Sequence, residues 1–92
     1  MNLKELLEFI VRALVDVPEE VEVCETPGDG AQIFEIFVAQ DDIGKVIGRE
    51  GRIANSLRTI CKAAAAKTGQ RVAVEILTRQ ELEERQTADS AA

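Results

Sequence analysis

Histidine, tryptophan and tyrosine are absent from this chain of 92 residues, and three phenylalanines, Phe9, Phe34 and Phe37, are the only aromatics. Without histidine there is no imidazole to ligate a metal or to serve as a general base near neutral pH. The two cysteines, Cys24 and Cys61, lie 37 positions apart and form no Cys-x-x-Cys pair. Zinc is therefore not expected, and buried reduced thiols are. Neither a P-loop nor a Gly-x-Ser-x-Gly elbow occurs, so the chain reads as a non-enzyme with no cofactor and no small-molecule substrate. No apolar run approaches the roughly 20 residues that cross a bilayer. The start, Met1-Asn2-Leu3-Lys4-Glu5, alternates charge with leucine and lacks the basic opening and apolar core of a signal peptide. A cytoplasmic protein without membrane contact is the expectation. Scarce aromatics also argue against a sheet surface on which bases stack.

What is present is an ordinary globular balance, 46% hydrophobic and 30% charged. A chain of this size makes one small domain that buries roughly 60–65% of its unfolded surface. The net charge of −6 is unevenly spread. Residues 44–71 carry Lys45, Arg49, Arg52, Arg58, Lys62, Lys67 and Arg71 against the single acid Glu50, a local +6. The segments before and after carry −9 and −3. For contact with phosphate, a local basic face matters more than the total.

Leu3, Leu6, Leu7, Ile10, Val11 and Leu14 recur every three or four positions and predict a helix over about 2–16, stopped by Pro18. Alternation around Val21 and Val23 predicts a strand over 20–26, and Thr26-Pro27-Gly28-Asp29-Gly30 predicts a turn. A second strand, Ile33 to Val38, completes a hairpin. Phe34, Ile36 and Val38 are assigned to its core face, because the alternative would bury Glu35 with Ile33 and Phe37. Asp41 or Asp42 is expected to cap a short helix with Ile43, Val46 and Ile47. A long helix follows, with Ile53, Leu57, Ile60, Cys61 and Ala64 as its apolar repeat and Ala63 to Ala66 as strong helix formers. Gly69 suits its C-terminal cap. Val72, Val74 and Ile76 then mark a last strand, parallel to the second because a helical crossover joins them. Past residue 77 the pattern fails, so 78–92 reads as an acidic tail with a frayed helical start and otherwise disordered.

Between the short and long helices lies Val46-Ile47-Gly48-Arg49-Glu50-Gly51-Arg52-Ile53-Ala54. Two glycines three apart permit a tight turn that runs into a helix start, where partial positive charge suits a phosphate. A Gly-x-x-Gly loop of this kind clamps about four nucleotides in KH domains. Loop and element order together resemble a type II KH domain, α-β-β-α-α-β, covering residues 1–77. That resemblance implies an α+β fold with a three-stranded mixed sheet and three helices on one face. More narrowly, the short chain, the acidic start, the loop sequence and the alanine-rich helix resemble the small bacterial single-KH (KhpA-like) RNA-binding family. The resemblance implies an RNA chaperone or post-transcriptional regulator tied to cell elongation and division, paired with itself or with a second KH-containing protein.

Lys45, Ile47, Gly48, Arg49, Glu50, Gly51, Arg52 and Asn55 are the candidate contacts for single-stranded RNA. Ile33 and Phe37, on the sheet face turned away from the helices, are the candidate dimer contacts, with the first helix as a further surface. Two departures from the usual KH pattern stand out: acidic Glu50 inside the loop, and Ala54 where a branched aliphatic is common. The second function class is an interaction module with this fold, acting through pairing with weak or no RNA binding.

Overall fold

A computed structural model of the chain describes residues 2–28 and 30–84. Helix α1 spans Leu3–Leu14, and Asn2 caps it by accepting the Glu5 N–H on Oδ1 at 2.8 Å. Its stripe buries Leu7 and Val11. The helix stops at Leu14, short of Pro18, because Val15 turns extended and the next two amides are bonded elsewhere. A 3-10 turn, Pro18–Glu20, leads to β1 (Glu22–Gly28), which pairs antiparallel with β2 (Ala31–Val38). Pairing persists through Pro27 and Gly28, where a turn is expected from sequence. β1 lies at the edge of the sheet, and an edge strand tolerates a residue without an N–H.

Helix α2 (Ile43–Ile47), a 3-10 turn (Arg49–Gly51) and helix α3 (Arg52–Ala66) then cross over to β3 (Arg71–Thr78). β3 pairs parallel with β2, giving the order β1-β2-β3. This is the α+β, type II KH arrangement: a mixed three-stranded sheet with α1, α2 and α3 over one face. Between the layers lie Leu7 and Val11 of α1, Val46 of α2, Leu57 and Cys61 of α3, and Val23, Phe34, Ile36, Val38 and Val74 of the sheet. At roughly 1.5–3 kcal/mol for each large aliphatic or Phe removed from water, this shared layer fixes how α2 and α3 sit relative to β3.

Three further expectations change. α3 is turned by about one residue: Ala54, Leu57, Cys61 and Ala65 are buried, whereas Ala64 is exposed and Ile60 keeps 46% of its surface. Ala54 and Ala65 replace Ala64 and Ile60 on the buried face, while Ile53 packs against the core and also backs Gly48. Cys61 is a buried free thiol whose pKa burial pushes up. Cys24, half-buried and also free, is raised by burial and by Glu22 and Glu35.

Phe37 is the second correction. It faces away from the main helical layer, yet only 1% of its surface is exposed, so it offers no dimer contact. Its register partners are Glu22 and Leu77, and Arg79, two residues past Leu77, reaches back to Glu22 and to Glu20 at 3.4 Å. Ile33, the other candidate, is half-buried beside Gly28.

The third concerns the tail. Thr78 closes β3, and residues 79–84 are helical. The Thr78 N–H donates to Glu81 Oε2 at 3.2 Å while the Glu81 N–H donates to Thr78 Oγ1 at 3.1 Å. This reciprocal pair is a capping box, and Thr-x-x-Glu is its sequence sign. The helical start expected of the tail is thus present at 79–84 and capped rather than frayed. Residues 85–92 of the expected tail lie outside the described residues.

Candidate nucleic-acid interface

Helix α2 ends because Gly48 takes φ 77°, ψ 174°, with its N–H still donating to the Gly44 carbonyl at 2.9 Å. That backbone region is open essentially to glycine alone. Space imposes the same choice: a Cβ on Gly48 would sit 2.7 Å from Ile53 Cγ1. Next come Glu50 at φ 57° and Gly51 at φ 73°, both left-handed. The turn closes through Gly51 N–H to Gly48 O at 3.2 Å. No side chain caps the start of α3, so its free N–H groups and partial positive charge face the loop. Arg49, Glu50 and Arg52 are exposed around this turn, and Glu50 Oε2 lies 3.5 Å from Arg52 Nη2. The acid in the loop is thus drawn toward an arginine.

Beside the loop runs the seam between α3 and β3. Asn55 is exposed one turn into α3, and its Oδ1 accepts from Arg58 Nη1 at 3.3 Å. Arg58 Nε donates to the Val74 carbonyl at 3.2 Å. β3 is the second edge of the sheet, and this bond ties the helix to that edge. Ile47, at the end of α2, is partly exposed, whereas Val46 is core and Ile43 packs against the core. The arrangement offers a tight turn bounded by two glycines, exposed guanidinium groups, an aliphatic side chain and an edge strand. Its charge and shape suit an extended polyanion.

A family model described as "KhpA/KhpB, KH domain" matches residues 4–76. The chain belongs to this KH-domain family. The "RNA-binding protein KhpA" of Clostridium acetobutylicum is 53% identical over 75 residues, 82% of this chain and 100% of the relative. That of Treponema pallidum is 50% identical over 74 residues, 80% of this chain and 92% of the relative. Among solved structures, the crystal structure of Era in complex with MgGDPNP and nucleotides 1506–1542 of 16S ribosomal RNA is similar to this chain with a TM-score of 0.56. The match covers 83% of this chain and 29% of the Era chain at 19% identity, a likeness of fold alone.

Within this KhpA/KhpB domain the expected site residues divide. Gly48, Arg49, Glu50, Gly51 and Arg52 come together at the turn, with Ile47 and Asn55 at its two shoulders. Lys45 is held elsewhere: its Nζ lies 2.8 Å from Asp16 Oδ2 and 3.5 Å from Asp42 Oδ1. The hydrogen bond to Asp16 raises its pKa against a smaller opposing effect of burial.

Two residues outside the expected site position it. Asp42 is 1% exposed and accepts the Asp16 and Val17 amides at 3.2 and 3.0 Å. Burial opposes its charge, but the Val17 and Asp16 amides and Lys45 outweigh it and hold the carboxyl below its ordinary value. The expected N-cap contact is not made; the carboxylate points back to the loop after α1. No local pattern announces this, since the partners are 25 and 26 positions away. Arg58 is the other. Its position three residues after Asn55, within the basic segment, was the available signal.

Proposed function

We propose that the chain is a single-stranded RNA-binding protein that clamps the strand backbone at Gly48–Gly51 and lays its bases along α2, α3 and the edge of β3. The observation that carries this reading is the left-handed turn at an uncapped helix start, flanked by exposed Arg49 and Arg52. Relatives about half identical to it, named RNA-binding proteins, support the same reading. In the cell it acts in the cytoplasm as an RNA chaperone or post-transcriptional regulator linked to elongation and division. A filter-binding assay tests the loop. Arg49→Asp with Glu50→Asp puts like charge beside the phosphates, and aspartate tolerates the left-handed position at 50. RNA affinity should fall at least about tenfold, ~1.4 kcal/mol, with the thermal midpoint unchanged. Wild-type affinity in a variant that melts normally would refute the assignment.

The pairing reading also keeps an observation of its own. Phe9 on α1 is 67% exposed and Ile60 on α3 is partly exposed, and each is a large apolar group in water. Pairing, with itself or with a second KH-containing protein, uses these surfaces in place of Phe37. Sedimentation at tens of micromolar should give a dimer that Phe9→Glu or Ile60→Glu dissociates. A wild-type monomer of 10.1 kDa would rule out the homodimer.

A further inference from the structure

Acids outnumber bases 17 to 11 in this chain, so an arginine or lysine without a carboxylate partner is informative. Arg12, Lys45, Arg52 and Arg79 are all in ion pairs. Among the described residues, the cations that make none are, Lys4 apart, Arg49, Arg58, Lys62, Lys67 and Arg71. All five lie on the loop, on α3 and its end, or at the first position of β3. Arg58 is occupied in bridging α3 to the Val74 carbonyl, which closes the middle of the α3–β3 seam. Beyond it the seam opens into a cleft of about 320 Å³ lined by Lys62, Gln70, Arg71 and Val72. Val72 is half-buried there, while the two cations and the amide are exposed. Lys62 is ten residues past Arg52, about 15 Å farther along the helix axis at 1.5 Å per residue. That places the cleft at the end of α3 opposite the Gly-x-x-Gly loop, where a strand clamped at the loop arrives only by running the length of the seam.

We propose that this cleft is a second contact site for the same RNA strand, with Lys62 and Arg71 on a backbone phosphate and a base over Val72 within reach of the Gln70 amide. The site rests on the RNA-binding reading above and extends it: the strand passes from the loop along Asn55 and Arg58 to the far end of α3. An acidic protein segment would suit two cations as well. The RNA strand is favoured because the cleft continues the seam that begins at the loop, and because an apolar side chain and an amide accompany the charges.

The test is fluorescence anisotropy with a tetrauridylate and a decauridylate across a salt series, using the full chain, the Lys62→Gln/Arg71→Gln variant and the Arg49→Asp/Glu50→Asp variant. Removing the cleft cations should leave the tetramer unaffected and weaken the decamer about tenfold. It should also make the decamer's salt slope shallower by about 1.4, from two phosphate contacts at ~0.7 each. The loop variant should weaken both oligomers. Equal losses at both lengths, or none at either, overturn the cleft site. Should the cleft variant weaken neither oligomer while the loop variant weakens both, the RNA-binding reading stands and only its extension falls. If the unmodified chain binds neither, both fall together.

Discussion

Gly48 answers to two constraints at once, a backbone region that other residues avoid and a side chain, Ile53, already occupying the space a Cβ would need. Gly51 answers to one, since the nearest atom to an added Cβ would be Asn55 Nδ2 at 4.0 Å. Gly48→Ala should therefore cost more stability than Gly51→Ala: about 1–3 kcal/mol of backbone strain plus the steric clash, against the ~1–2 kcal/mol of a left-handed alanine. Urea denaturation of the two variants checks the order, and equal losses would show that Ile53 yields freely. The glycine spacing was legible from sequence because it is a local signal. The second task of Ile53 was not: a periodic apolar residue reads as core, where it does pack, and only the turn's closure reveals that it also backs Gly48. Phe37 was hidden for a related reason. Alternation places it on the outer face correctly, but its burial there is not a local property, and its strand partners Glu22 and Leu77 lie 15 and 40 positions away.

At the scale of elements, α2 is fastened to the end of α1 through Asp42, which gives the site's position a pH dependence. Its folded pKa lies below the unfolded value, so its contribution is present above the ordinary carboxylate pKa of about 3.9 and is lost as pH falls through the lowered folded value. Lys45 is shifted upward, so its contribution is full below about 10.4 and is lost as pH rises through the raised value. Asp42→Asn should melt lower than wild type at neutral pH, with the difference narrowing below about pH 4. A difference that stays constant down to pH 2 would mean that the Asp42 charge is not what holds the loop. Helix and strand order followed from periodicity alone, since each element shows one apolar face. The rotation of α3 did not, because alanines at 54 and 65 carry little hydrophobic signal yet are the residues buried there. Thr78 and Glu81 did carry a local sign, the capping box, but it stood where the apolar pattern had ended.

For the whole molecule, the charge pattern and the fold agree. The acidic segments supply α1, β1 and the edge that Arg79 reaches, while the basic one supplies the loop and α3, so a net-acidic chain still presents a cationic seam. Lys45 qualifies that picture, since sequence counts its charge and the structure shows it neutralised by Asp16 and Asp42. The central claim, that RNA is held at this turn and seam, is tested most directly by amide chemical-shift mapping with a short oligouridylate. The account predicts that the largest shifts cluster on Ile47 to Asn55 and along β3 near Val74, with α1 and β1 unmoved. Shifts centred on α1 around Phe9, or none at saturating oligonucleotide, would contradict it.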